Sequence, residues 1–112
     1  MLILLILSGY SLAQGPVKVD PKHHKVEFEN DQVSVLRITL GPKEKSAMHY
    51  HPEGMVIYLT DGKGKFTYPD GKNEKYEFKK ASFKWVPALT HQGENVSDKT
   101  VELLQIEMKT KK

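Results

Sequence analysis

Short apolar runs, each closed by turn-forming residues, follow one another through most of this 112-residue chain. Alternating and β-branched runs are typical of strands, and no apolar stripe with helical spacing extends over a useful length. The strongest hairpin signal is Pro69-Asp70-Gly71-Lys72, which separates two such runs. Seven or eight strands at this spacing predict an all-β fold, a single-domain antiparallel β-sandwich or barrel. The predicted strands cover residues 26–29, 33–40, 55–60, 65–68, 76–78, 83–85 and 101–108.

Two of these segments carry more specific expectations. Residues 55–60 are almost continuously apolar, which is expected of a strand that is buried on both faces. Gly62-Lys63-Gly64 is interpreted as a hairpin turn and not as a phosphate-binding loop.

Composition excludes several classes of protein. Apolar residues make up 38% of the chain and charged residues 28%, which is enough apolar surface for one globular core. Seventeen basic residues stand against 14 acidic ones, but Arg37 is the only arginine and the excess is dispersed, so we predict no nucleic-acid partner. The chain has no cysteine, so any metal ion must be held by histidine, carboxylate, amide or methionine groups.

The first residues predict export. Residues 2–7 are wholly apolar, too short to span a bilayer, and small residues follow them before Gln14. We interpret residues 1–13 as a secretory signal peptide, the alternative being a buried first strand. The mature protein is then expected to be periplasmic or extracellular, without a stable membrane span. Residues 14–25 form an N-terminal extension, 26–108 the domain and 109–112 a basic tail.

The histidines are the most informative residues. His49 and His51 are separated by one residue, so in a strand both imidazoles point to the same face and can chelate one ion. His91 follows the predicted strand 83–85 and is expected in a turn that a closed sandwich brings near them. A chance His-x-His pair, or two surface histidines, is the alternative. The adjacent His23 and His24 are interpreted as exposed polar residues near a flexible end.

The first group of histidines resembles a motif of the cupin superfamily, which runs glycine, a spacer, His-x-His, three or four residues, glutamate, six residues and glycine. Here the pattern is Gly41, then His49-Tyr50-His51, then Gly62 at the end. Met55 stands where the glutamate is expected.

A second cupin motif runs glycine, five residues, proline, one residue, glycine, two residues, histidine, three residues and asparagine. This chain has Ala81 and Leu89 in place of the two glycines, and it keeps Pro87, His91 and Asn95. The turn before the histidine is one residue shorter than the pattern. The motif gives Asn95 a turn role, although Asn95-Val96-Ser97 is formally a glycosylation sequence. The resemblance covers residues 26–108 and implies a jelly-roll barrel.

In metal-binding cupins the histidines of both motifs and the glutamate are the usual ligands. The resemblance therefore implies that His49, His51 and His91 hold a divalent transition metal such as Zn, Mn, Fe, Ni or Cu. Without the carboxylate the ion keeps its full charge and favours an anionic ligand. Met55 either fills the barrel or contacts the ion. Glu53 either swings in as a substitute carboxylate or stays in a loop after Pro52. Met55→Glu is expected to tighten ion binding.

Two function classes follow from the resemblance. The first is an exported metal-dependent enzyme, of the dioxygenase, decarboxylase or isomerase type, acting on a small anionic or oxygenated substrate. The alternative is a non-catalytic module that binds a metal or small ligand without turnover. Small cupins often pair through outer strands, so a homodimer is expected. Four further residues are candidates to line the pocket, namely Tyr58, Phe66, Trp85 and Gln105.

Overall fold

The computed structural model describes residues 15–109, in which one short helix precedes nine strands. All strand pairs are antiparallel, which confirms the all-β prediction. None of the described helices is long and apolar enough to cross a membrane. The expected signal peptide, residues 1–13, lies outside the described residues, as does the tail beyond Lys109. The elements are α1 (Pro16–Val19), β1 (His24–Glu29), β2 (Val33–Leu40), β3 (His49–His51), β4 (Gly54–Tyr58), β5 (Gly62–Thr67), β6 (Asn73–Phe78), β7 (Phe83–Val86), β8 (Leu89–Asn95) and β9 (Val101–Met108).

The strands form two sheets that enclose the core between them. The larger sheet has the order β1-β2-β9-β4-β7 and the smaller one the order β3-β8-β5-β6. β9 lies between β2 and β4 and pairs with β2 along eight residues, so the last strand of the chain joins both halves of the larger sheet. Since both sheets bury one face, the predicted β-sandwich is confirmed.

The core lies between the two sheets. Val56 and Tyr58 of β4 point inward together with Leu40, Phe78 and Val101. Met55 and Ile57 alternate with them and are only partly buried, so the expectation that residues 55–60 are buried on both faces is wrong. The reason is that β4 belongs to a sheet with only one covered face.

β8 was not expected from the sequence, whereas β3 has the strand geometry that was expected of His49 and His51. The segments 49–51 and 89–95 pair with each other as β3 and β8, although the second had been predicted to contain a turn at His91. β5 begins at Gly62, so the interpretation of residues 62–64 as a turn is also wrong. A Cβ atom on Gly62 would lie 2.4 Å from the ring of Phe78, so this glycine permits close packing of an aromatic ring within the sheet.

The hairpin between β5 and β6 matches its prediction. Gly71 adopts a φ of 90°, which favours glycine, and the amide of Tyr68 donates to the carbonyl of Lys72. At the end of β8, the side chain of Asn95 is 1% exposed, and its amide nitrogen lies within 3.0 Å of the carbonyl oxygens of Leu40, Gly41 and Lys99. Asn95 thus ties the end of β2 to the loop before β9, which is the turn role that the second motif implies.

Candidate metal centre

The pairing of β3 with β8 brings three histidines together. His49 lies directly opposite His91 in this register, and His51 follows two residues later on the same face of β3. All three side chains point inward and are buried. One nitrogen from each ring can be chosen so that the three atoms lie within 4.8 Å of one another. This spacing is that of a set of ligands around one ion.

A hydrogen bond fixes the tautomer of His49, and another engages Nδ1 of His51. Nδ1 of His49 donates to the carbonyl oxygen of Ala47 at 2.7 Å, because a carbonyl can only accept. Nδ1 of His51 bonds to the carboxylate of Glu107. Both Nε2 atoms are therefore directed at each other, 2.9 Å apart. Two lone pairs at this distance repel unless a proton or a cation lies between them.

The donor set fits a divalent transition metal. Besides the facing Nε2 atoms, Nδ1 of His91 is buried and has no hydrogen-bond partner within the described part of the chain. A bound ion would accept lone pairs from all three rings, and three neutral imidazoles with an open position form a known type of zinc site.

Burial keeps these imidazoles neutral. It lowers the pKa of His49 to about 3 and that of His51 to about 4, and the neighbouring ring of His51 adds to the shift at His49. Burial, with the nearby histidines, lowers the pKa of His91 to about 2. Since only the neutral form binds a metal, all three rings are in the ligating state at neutral pH.

Glu107 is a site residue that the sequence analysis missed. It lies on β9 two residues after Gln105, so the alternation of that strand places both side chains on the inner face. This alternation was the available signal. Burial raises the pKa of Glu107 to about 7. Because its carboxylate orients the ring of His51, the site has a carboxylate beside a ligand although none occupies the ligand position of the motif.

His24 is a second missed residue, and the expectation that His23 and His24 are exposed is wrong. The turn between α1 and β1 buries both, with Nδ1 of His23 bonded to the carboxylate of Asp20. Nδ1 of His24 donates to the carbonyl oxygen of Asp20 at 2.9 Å, and its ring lines the same cavity as the three histidines. Burial lowers the pKa of His24 as well. Nothing in the periodicity of the sequence marks this turn.

The cavity between the sheets has a volume of about 80 Å³. Of the predicted lining residues, Tyr58, Phe66 and Gln105 face it. Phe66 stacks on the ring of His91, with centroids 4.4 Å apart. The side-chain nitrogen of Gln105 is buried without a hydrogen-bond partner among the described residues, and Lys84 lies on the inner side of β7.

Three predicted residues do not line the cavity. Met55 pairs with Trp85 on the outer face of the larger sheet, where Trp85 is 52% exposed. Glu53 is exposed in the turn between β3 and β4. The physical reason is strand alternation, because Gly54 and Val56 take the inward positions of β4. Four residues separate Val56 from His51, which is the longer of the two spacings that the first motif allows between its second histidine and its glutamate.

Comparison with known proteins identifies the same fold. The sequence matches the family model described as a cupin domain over residues 36–107, which is 72 of the 112 residues. A cupin domain from Bordetella pertussis Tohama I is similar in structure, with a TM-score of 0.73 and 21% identity over 88% of this chain and 97% of that one.

Two further solved structures are similar at lower scores. An RmlC-like cupin family protein from Methanocaldococcus jannaschii has a TM-score of 0.59 and 21% identity over 79% of this chain and 82% of its own. A cupin superfamily protein from Desulfitobacterium hafniense DCB-2 has a TM-score of 0.58 and 15% identity over 78% and 76%. No curated protein matches the sequence significantly. At these identities the structural neighbours show the fold.

The lowered pKa values predict that acid destabilises the metal-free protein. Between pH 6.5 and about 4 the unfolded chain binds protons that the three buried histidines do not, so stability is lost as the pH falls through 6.5. Glu107 has the opposite effect, because its raised pKa lets the folded chain bind one proton that the unfolded chain does not bind. Each histidine whose effect Glu107 does not offset therefore lowers the free energy of unfolding by up to about 1.4 kcal/mol for each unit by which the pH falls.

Urea denaturation of chelator-treated protein at pH 7, 6 and 5 measures this slope. A variant with asparagine at all three histidine positions should lose most of it. A free energy of unfolding that stays level or rises from pH 7 to pH 5 in the natural sequence would contradict burial of neutral imidazoles.

The side chains of β4 alternate between the two faces of the sheet, and this changes the expectation that Met55→Glu tightens ion binding. Because Val56 faces the cavity and Met55 faces outward, Val56→Glu should raise the affinity for Zn²⁺ at least about tenfold, as a carboxylate joins three imidazoles. Met55→Glu carries the same change of charge one residue away and should leave the affinity unchanged within about twofold. Competition with a chromophoric chelator measures both. Tighter binding in Met55→Glu alone would show that β4 presents its other face to the site.

Proposed function

Because the chain belongs to the cupin domain family, and its barrel gathers three neutral imidazoles, we propose that His49, His51 and His91 hold one divalent transition-metal ion. The observation that carries this proposal is the pair of Nε2 atoms 2.9 Å apart, each on a ring whose Nδ1 is already engaged. Zinc, manganese, iron, nickel and copper all accept imidazole ligands, so the donor set does not select among them.

The residues around the three histidines prepare them for this role. The carbonyl of Ala47 accepts a hydrogen bond from the far side of the His49 ring, and the carboxyl group of Glu107 bonds to the far side of the His51 ring, so each ring is held in orientation. The hydrogen bond to Glu107 also makes His51 a more basic ligand. A bound ion would supply Lewis acidity toward an oxygen of the substrate.

The cavity supports a small anionic or oxygenated substrate. Phe66 and Tyr76 stack on each other in its wall, beside the histidines. Gln105 offers an unused amide donor, and Lys84 places a positive charge on the inner side of the edge strand β7. An oxyanion of the substrate can accept hydrogen bonds from both groups, because the amide nitrogen of Gln105 and the ammonium group of Lys84 are donors.

We propose catalysis of a metal-dependent reaction on such a substrate. The alternative is a module that binds a metal or small ligand without turnover, which the small volume of about 80 Å³ suits equally. Metal-dependent turnover that His49→Ala abolishes would establish the enzyme. Stoichiometric, tightly held metal without turnover across small carboxylates and phenols would establish the module.

Elemental analysis tests the metal site itself. Protein purified without a histidine tag or chelator, and then incubated with Zn²⁺ and desalted, should retain about one ion per chain. The variant with alanine at positions 49, 51 and 91 should retain none, and Glu107→Gln should weaken binding by about 10-fold to 100-fold through His51. His23→Gln, which changes a buried histidine outside the cavity, is the matched control. Equal ion content in the triple variant and the natural sequence would refute the proposal.

We also propose export, on the strength of the apolar run at residues 2–7. Fusion of residues 1–25 to a reporter that is active only outside the cytoplasm tests it. Reporter activity supports a periplasmic or extracellular protein, and a cytoplasmic fusion of unchanged mass argues against it.

The outer face of the larger sheet supports a homodimer. One row of apolar residues crosses all five strands in register, and a second row covers three of them, with Phe83 68% exposed and Phe28 54% exposed. Contiguous exposed apolar surface of this kind is typical of an interface. The two rows are Trp85, Met55, Ile106, Val35 and Phe28, and Phe83, Ile57 and Leu104.

Light scattering at micromolar concentration should give twice the mass of one chain. Trp85→Lys should halve this mass, because it places a charge within the apolar row. Asn73→Lys adds the same charge on an exposed edge of the smaller sheet and should change nothing. A monomeric natural protein under these conditions would contradict the proposal.

A further inference from the structure

His24 adds a fourth imidazole to the cavity from outside the family-matched segment. It lies at the start of β1, twelve residues before the matched region begins at residue 36. Its position is held from behind by the backbone carbonyl of Asp20, which accepts from Nδ1. The ring of a neutral histidine that donates from Nδ1 carries its lone pair on Nε2. His24 therefore presents a hydrogen-bond acceptor.

The ring distances place His24 beside the three-histidine cluster and not within it. Its centroid is 4.9 Å from that of His49 but 6.4 Å from that of His51. The nitrogens that lie within 4.8 Å of one another belong to His49, His51 and His91, without His24. Because His24 lies next to a ligand of the ion and outside the ligand set, its side chain is positioned to contact a small molecule that is bound to the ion. His24 is thus suited to recognise that molecule.

Gln105 supplies the complementary group. Its side chain is 4% exposed and lines the same cavity, and its amide nitrogen has no partner among the described residues. A buried N–H group without an acceptor destabilises the ligand-free state, so a ligand oxygen that accepts from it gains affinity. The cavity wall thus offers one acceptor, on His24, and one donor, on Gln105.

We propose that His24 and Gln105 recognise a small hydroxy acid, a ligand that carries a hydroxyl group beside a carboxylate. The hydroxyl donates to Nε2 of His24, and a carboxylate oxygen accepts from the amide of Gln105. The volume of about 80 Å³ limits the ligand to a few carbon atoms. This inference rests on the proposed function, because the ligand is held against the ion on His49, His51 and His91.

Binding of glycolate and acetate to Zn²⁺-loaded protein tests this assignment, because the two ions differ only in the hydroxyl group. Isothermal titration gives the ratio of their affinities in each variant. A site that hydrogen-bonds a hydroxyl strongly disfavours the analogue without it. Glycolate also chelates Zn²⁺ better than acetate does, so the measured quantity is the change in this ratio when His24 is replaced.

His24→Asn is the variant of choice. The amide nitrogen of asparagine takes about the place of Nδ1 and keeps a donor for the carbonyl of Asp20, while Nε2 is removed. We expect the preference for glycolate to fall at least about fivefold. Gln105→Leu should weaken both ligands to a similar extent and keep their ratio, since both carry the carboxylate. Zn²⁺ content equal to that of the natural protein excludes a general loss of structure in Gln105→Leu, and unchanged affinities for both ligands in this variant would overturn the role of Gln105.

His23→Gln is the matched control, because His23 is buried in the same turn but bonds to Asp20 and Glu44 outside the cavity. It should keep the natural ratio of affinities. An unchanged ratio in His24→Asn, or an equal fall in His23→Gln, would overturn the role of His24. A natural protein that retains no Zn²⁺ overturns the proposed function, and with it this inference. Full Zn²⁺ content with equal affinities for glycolate and acetate overturns the inference alone.

Discussion

The antiparallel pairing of β3 with β8 is the constraint on which the site depends. It sets His49 opposite His91, and the two-residue period of β3 adds His51 to the same face. Because the two sheets pack face to face, the inward side chains of β3 meet β9 of the larger sheet, where Glu107 bonds to His51. One sheet supplies the imidazoles and the other supplies the carboxylate that orients one of them. Burial between the sheets keeps the rings neutral, and the fold thereby fixes both the geometry and the protonation state of the ligands.

Asp20 connects the N-terminal turn to this centre by two routes. Its carboxylate accepts from the amide of Ala47, whose carbonyl oxygen in turn accepts from His49. Its backbone carbonyl accepts from His24. A residue outside the family-matched segment therefore holds one proposed ion ligand and one proposed recognition residue. Because these bonds are buried or partly buried, solvent screens them less than surface bonds, and they bias the rings toward one orientation.

Local patterns in the sequence were sufficient for the strands with alternating or β-branched residues and for the Pro69–Lys72 hairpin. They were also sufficient to place His49 and His51 on one face. β8 was missed because Leu89–Asn95 contains glycine and polar residues and therefore has a low strand propensity. Its pairing with β3 and β5 outweighs this propensity. Met55 was assigned to the site by counting residues along a motif, but one residue of register exchanges the two faces of a strand. The position of His24 depends on the N-terminal segment, whose helix α1 packs against β1 and β3, and such long-range packing leaves no periodic signal in the sequence.

The most direct test of the central claim is a long-range ¹⁵N spectrum of the histidine rings, recorded before and after addition of one equivalent of Zn²⁺. The structure predicts that ring nitrogens of His49, His51 and His91 move to metal-bound positions together. It also predicts that His23 keeps its spectrum, because Asp20 and Glu44 engage both of its nitrogens. Unchanged rings at all three positions, or a response confined to His23, would contradict an ion site built on the pairing of β3 with β8.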